Sequence, residues 1–233
     1  MLAGMNARWL SLAITLLVPL RAHALCVRVA QHPTVLNDAV AAPPEGGLVV
    51  STTVDGVGPD EGEALQPTWQ FKTSTGSEKP DMVALAPGLV LYRLPPSVTA
   101  AELHDGTKAR ATVTSVSGKI AELAAPSVST IRHTTRRGLR GNFASVQVAL
   151  RTPVPTDALA LVVFSANGKR ARSFASVSGG ATDVVVYAQQ RCSALPNGTV
   201  ESKVGERVTV RWVDKFGRLS APSKPIKIGI GKP

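Results

Sequence analysis

Residues 207–213 read RVTVRWV. Val208, Val210 and Trp212 take every second position, and Arg207, Thr209 and Arg211 fill the gaps. Side chains alternate across a strand, so this heptad predicts a β-strand with an apolar face turned inward and a polar face turned to solvent. Residues 145–151, SVQVALR, repeat the pattern, with Val146, Val148 and Leu150 opposing Ser145, Gln147 and Arg151. A helical signature would place apolar residues at i, i+3, i+4 and i+7 over ten or more positions, and no run in the chain does so. The fold class read from these patterns is all-β.

Working outward, residues 159–174, LALVVFSANGKRARSF, predict a hairpin. Asn167-Gly168 can take the positive φ values of a tight two-residue turn between two strand-like runs. Turn residues recur every eight to twelve positions, and the chain holds 17 prolines and 20 glycines. Short strands at that spacing predict a β-sandwich. A disordered Pro/Gly-rich chain is excluded by a hydrophobic fraction of 44%, which is enough apolar material to build a core. Aromatic residues make up only 4%, so that core must come mainly from Val, Leu, Ile and Ala.

The first 24 residues read as a targeting segment. Arg8 precedes an apolar run, Trp9 to Leu20, and Ala22 and Ala24 have the small-residue spacing of a cleavage site. The run is too short to cross a hydrocarbon core of about 30 Å, which takes roughly 20 residues. A lipoprotein anchored through Cys26 is the alternative, disfavoured by the bulky Leu25 before it. No other stretch could span a membrane. The expected address is therefore exported: periplasm, cell surface or extracellular. In that setting Cys26 and Cys192, the two cysteines of the chain, are expected to pair. Closing so long a loop is worth roughly 5 kcal/mol in the chain-entropy model.

Trp69 and Trp212 fall one in each half of the remaining chain, which suits two sandwiches with one large core residue each. Residues 122–131, ELAAPSVSTI, mark the boundary, where a strand-like end gives way to Ala-Ala-Pro. The expected organisation is a signal peptide over 1–24, one β-sandwich over 25–124 and a second over 125–233.

Residues 211–228, RWVDKFGRLSAPSKPIKI, resemble the last hairpin of bacterial fibronectin type III-like and immunoglobulin-like domains. The Val213-Asp214 pair matches the strand end of that pattern, Lys215 to Arg218 its turn, and Ser220, Pro222 and Ser223 its S-x-P-S segment. Gly217 would relieve the turn, and Pro222 and Pro225 sit where an edge strand tolerates a missing N–H. In the first half, residues 85–94, LAPGLVLYRL, are similar to the Leu-x-Pro-Gly lead-in to a corner tyrosine, with Tyr92 one residue further on than in the usual pattern. The resemblance implies a fold and roles in adhesion, binding or spacing, and no reaction.

Charge is unevenly spread. Residues 25–124 carry 7 Lys and Arg against 11 Asp and Glu, and residues 125–233 carry 17 against 5. Eleven of those 17 are arginine, whose planar fork grips a carboxylate or phosphate at two points. The candidate anion-binding residues are Arg132, Arg136, Arg137, Arg140, Arg170, Arg172, Arg207 and Arg211. Arg207 and Arg211 oppose the apolar face of their strand, so they are expected to face solvent together, and Arg170 and Arg172 share a second face. Residues 131–141, IRHTTRRGLRG, read as a strand end and a loop that turns at Gly138 and Gly141. The expected partner is an anionic polysaccharide or an acidic protein. Nucleic acid is disfavoured, because aromatic and basic residues do not interleave as stacking surfaces require. The competing expectation is an accessory subunit whose basic face docks on the acidic half or on another subunit.

Catalytic signatures are lacking. There is no H-E-x-x-H, no G-x-S-x-G and no P-loop. His104-Asp105 are neighbours, and adjacent residues of a strand face opposite ways. The acidic stretch Asp55 to Glu63 could lend oxygens to calcium but lacks the D-x-D-x-D-G order, which favours a solvated loop. No cofactor, no metal and no enzymatic activity are expected.

Overall fold

The structure is a computed structural model that describes residues 31–54, 69–106, 108–118, 120–138, 141–189 and 204–231. Cys26, Cys192, Arg140, the targeting segment and the acidic stretch 55–63 lie outside the described residues.

The first half of the chain contributes β1 (Gln31–Val35), β2 (Ala39–Ala42), β3 (Gly47–Val54), β4 (Trp69–Thr73), β5 (Gly76–Glu78), β6 (Asp81–Ala86), β7 (Leu89–Arg93), β8 (Ala100–Asp105) and β9 (Lys108–Ser115). The second half contributes β10 (Val128–Gly138), β11 (Gly141–Leu150), β12 (Ala158–Ser165), β13 (Ala171–Ser176), β14 (Asp183–Gln189), β15 (Arg207–Asp214) and β16 (Ile226–Ile230). No helix occurs among the described residues, and the fold is all-β as the alternating patterns require.

Three sheets result. Strands β1-β3-β7-β6 form one and β2-β9-β8-β4-β5 a second. The third runs β13-β12-β15-β16-β10-β11-β14, and its two end strands come into contact, so it wraps around its own core. That core is the apolar face read from the sequence: Val208, Val210 and Trp212 of β15 pack with Val146, Val148 and Leu150 of β11, and with Ile131, Leu161 and Val163. Between the four- and five-stranded sheets lies another core, built on Leu48, Val50, Trp69, Phe71, Tyr92 and Leu103. The Trp69 and Tyr92 rings meet there at 5.9 Å, tilted by 35°.

A third core joins the two halves. Val49, Leu89 and Leu91 leave the four-stranded sheet on the side away from Trp69. They pack on Ala160, Val162, Phe164, Phe174 and Val213 of the C-terminal sheet. Both β7 and β12 are therefore buried on both faces, which explains why LVLY and LALVVF are near-continuous apolar runs instead of alternations.

The turn after β15 fastens this contact. The Asp214 carboxylate accepts the backbone N–H groups of Phe216 and Arg218, each at 2.9 Å, and holds a tight turn. Gly217 takes φ +81° in it, as glycine readily can. The turn then enters the N-terminal half. Phe216 packs against the Trp69–Tyr92 core, and its carbonyl accepts the Gly47 N–H at 2.8 Å. The Lys215 carbonyl accepts the Asn37 side-chain N–H at 2.8 Å, and the Asn37 side-chain oxygen accepts the Val49 N–H at 2.7 Å. Arg218 turns back on Asp214 at 2.7 Å and donates to the carbonyls of Ile120 and Ala121 at 3.0 and 2.9 Å, pinning the connecting segment.

Downstream, Ser220 and Ser223 replace a partner strand. Their hydroxyls accept the backbone N–H groups of Trp212 and Val210 at 2.9 and 3.0 Å, and their own N–H groups bond back to the same residues' carbonyls.

Three local expectations need correction. The Asn-Gly hairpin exists, but pairing closes at Ser165 and Arg170, so the loop has four residues. Gly168 alone takes the left-handed conformation, and the Asn167 side chain accepts the Lys169 N–H at 3.1 Å. The LAPG segment is a tight hairpin with Ala86 opposite Leu89, not a corner between sheets. Pro87 pre-sets φ and Gly88 supplies φ +76°, the chemistry of a type II turn. The arginine-rich stretch is strand up to Gly138, not loop: β10 pairs with β11 from Val128 to Gly138, so Arg136 and Arg137 sit opposite Phe143 and Asn142.

Candidate anion-binding surface

The strand order divides the candidate arginines between opposite sides of the C-terminal sheet. Arg172, Arg207 and Arg211 belong to β13 and β15, on the wing that meets the N-terminal half. Arg170 precedes β13 and is exposed. Arg132, Arg136 and Arg137 belong to β10, on the far wing. Arg132 is exposed. For Arg136 and Arg137 only the strand position belongs to the described part.

The near wing behaves differently from its sequence pattern. Arg207 is exposed, and its backbone partner across β16 is a second cation, Lys227. Arg211 is not exposed with it. Its guanidinium lies 5.7 Å from the centre of the Phe164 ring, a cation–π distance, and its Nε is buried without a hydrogen-bond partner. Thr209, between the two arginines, is 4% exposed. The reason is the joining core: Val213 and Phe164 lie on this same outer face, and the N-terminal half covers part of it. Arg172 is committed as well. It makes a two-point bond to Glu206, at 2.6 and 2.5 Å.

Carboxylates in the C-terminal half are few, and the described ones are engaged. Glu206 holds Arg172, Asp214 holds Arg218, Asp157 meets Lys215 at 3.2 Å, and Asp183 accepts the Gln147 amide at 3.2 Å. Arg132, Lys169, Arg170, Arg207, Lys224 and Lys227 have no carboxylate partner among the described residues. Across the joint between the halves, the described ion pair is Arg218 with Glu45 at 3.8 Å, and the rest of the contact is apolar or made through backbone groups. Among the described residues, these cations of the C-terminal surface are thus left without carboxylate partners.

On the far wing the surplus meets a cleft. Ser129, Thr130, Arg132, Gln147, Ala149 and Asp183 line a hollow of about 250 Å³ on the outer face of β10, β11 and β14. Sequence reading found Arg132 but not Gln147 or Asp183. The available signal was the polar set of the SVQVALR alternation, which places Gln147 outward.

His104 is a buried residue whose Nε2 lies 2.9 Å from the Glu102 carboxylate, two positions away on the same face. Asp105 instead accepts Arg110 at 2.7 Å, so His104 and Asp105 do not form a dyad. Among the described residues, no group of three or more His, Cys, Asp or Glu side chains converges as metal ligands would. No helix among them is long and apolar enough to cross a membrane. No protein-family model matches the chain, and no curated protein matches it.

Proposed function

We propose that this chain is an exported, non-catalytic binding module whose basic C-terminal half contacts an anionic polymer. The observation that carries the reading is the charge account of that half. Its described carboxylates are occupied, while Arg132, Arg170 and Arg207 face solvent without one. A surface of one sign concentrates polyanions and speeds their encounter. The internal alternative, in which the basic surface serves to join the two halves, fits less well with a joint made mainly of apolar side chains.

In this reading residues 1–24 are removed on export, and Cys26 and Cys192 form a disulfide. The chain then has two β-sandwiches, over 25–124 and 125–233. The fibronectin type III-like or immunoglobulin-like assignment of the second is supported by its strand order. Its first, second and fifth strands, β10-β11-β14, lie together, and β13-β12-β15-β16 form the opposing group, a Greek-key arrangement. The apolar joint favours a stiff body, which suits a module that presents a surface.

The test is retention of the full chain on heparin and phosphocellulose across a salt series. Retention should fall steeply with salt. It should weaken in the quadruple Ala variant of Arg132, Arg136, Arg137 and Arg140. No retention even at low salt refutes the polyanion reading. Thiol labelling of the unfolded protein should find neither cysteine free, and two labelled cysteines remove the disulfide.

A further inference from the structure

We infer that the cleft on the outer face of β10, β11 and β14 is a subsite for one uronic-acid unit of an acidic polysaccharide. This rests on the polyanion reading and narrows it to one chemistry. The cleft owes its shape to an irregularity. Pairing between β10 and β11 slips between Val128 and Thr130, and bulges of this kind re-aim side chains. Ser129 and Thr130 are therefore both exposed next to Ala149, whose small side chain gives the hollow its depth. One cross-strand row beyond, Arg132 stands opposite Gln147, and Gln147 opposite Val185. The Gln147 amide nitrogen is fixed by Asp183 at 3.2 Å, and the Ser129 hydroxyl by the Ala149 carbonyl at 2.9 Å.

The donor and acceptor set decides the ligand. A phosphate or sulfate group offers acceptors only, so it supplies no donor for the Asp183 carboxylate or the Gln147 carbonyl oxygen that line the hollow. A uronate carries one carboxylate and several hydroxyls on the same ring. Its carboxylate matches the guanidinium of Arg132, which has no carboxylate partner among the described residues and can grip it at two points. Its hydroxyls can donate to the second oxygen of Asp183 and to the Gln147 carbonyl oxygen. Val185, 56% exposed at the edge of the same face, offers an apolar flank for the C–H side of a ring. The volume of about 250 Å³ is below the usual range for drug-sized ligands and suits a single ring.

The experiment compares binding of the full chain to a uronate oligomer and to inorganic polyphosphate by calorimetry. Arg132→Ala should weaken uronate binding by roughly tenfold, a loss typical of one charge-assisted two-point contact. Asp183→Asn is the discriminating variant. It should weaken uronate binding several-fold while strengthening polyphosphate binding, because it removes an acceptor and a negative charge together. Gln147→Ala should weaken uronate binding and leave polyphosphate unchanged. If Asp183→Asn strengthens or preserves uronate binding, the surface is only electrostatic and the subsite is refuted. Polyphosphate binding without uronate binding overturns this inference and leaves the broader reading standing. Binding of neither at low salt overturns both. These residues are exposed, so an unchanged urea midpoint verifies that each variant remains folded.

Discussion

Replacing Gly217 by alanine tests the joint between the halves. A Cβ at that position would come well inside contact distance of the Leu91 Cδ1 atom and within 3.0 Å of Val49 Cγ2, both in the joining core. It would also be held at φ +81°. The left-handed conformation costs an L-residue about 1–2 kcal/mol. Forcing an extra methyl into a packed contact adds about 1–3 kcal/mol. Together they predict a loss of about 2–5 kcal/mol. Gly168 supplies the control. It has φ +69° in the β12–β13 loop, and a Cβ there would meet nothing within 4 Å. Gly168→Ala should therefore cost only the conformational part, about 1–2 kcal/mol. In urea titrations with a slope near 2 kcal/mol/M, the Gly217 variant should lose roughly 1–2.5 M of midpoint and the control about 0.5–1 M. Equal shifts would show that the turn is not seated against Leu91 and Val49, and the described joint would be wrong.

Other perturbations read the same construction. Arg218→Met leaves the Asp214 carboxylate, 6% exposed, without its cation and frees the Ile120 and Ala121 carbonyls; it should cost about 3–5 kcal/mol in urea unfolding. Asn37→Ala unpairs the Val49 N–H and the Gly47 and Lys215 carbonyls, with an expected loss of about 2–4 kcal/mol by the same assay. Burial raises the Tyr92 phenol above its ordinary value, so the folded protein holds that proton at a pH where the unfolded chain has begun to release it. The stability it confers is full below the unfolded value near 10 and is lost as pH rises through the folded one. Urea midpoints between roughly pH 9 and 12 should fall more steeply for the wild type than for Tyr92→Phe, and parallel curves would contradict this.

The joining core also shows how much was legible. The apolar run Leu159 to Phe164 carries a signal for burial on both faces, since alternation is what one wet face produces. Period two groups Leu161 with Val163 on one face and Ala160 with Val162 and Phe164 on the other, without telling which set enters the C-terminal core. That Ala160, Val162 and Phe164 would meet Val49, Leu89 and Leu91 could not be read from it either, because those partners lie some seventy or more positions earlier and share no local pattern with them. The candidate site was legible to the same degree. Arg132 was visible as a candidate cation of the arginine-rich stretch, whereas Asp183 reached the cleft only through the pairing of β14 with β11.

By itself, the sequence determined the all-β class, the inward faces of β11 and β15, the Gly217 turn and the excess of cations over carboxylates after residue 125. Each of these is set within a few residues by side-chain period, by backbone conformational preference or by composition. Only the tertiary structure decided which polar faces remain wet and which cations remain unpaired. Thr209 and Arg211 alternate as a solvent face should, yet the N-terminal half and Phe164 cover them. Arg172 reads as free, yet Glu206, 34 positions away, takes it in a two-point bond. Period two states which side chains share a face. What lies against that face is set by long-range packing, which engages Arg172 and Arg211 and leaves Arg132, Arg170 and Arg207 exposed with no carboxylate partner among the described residues.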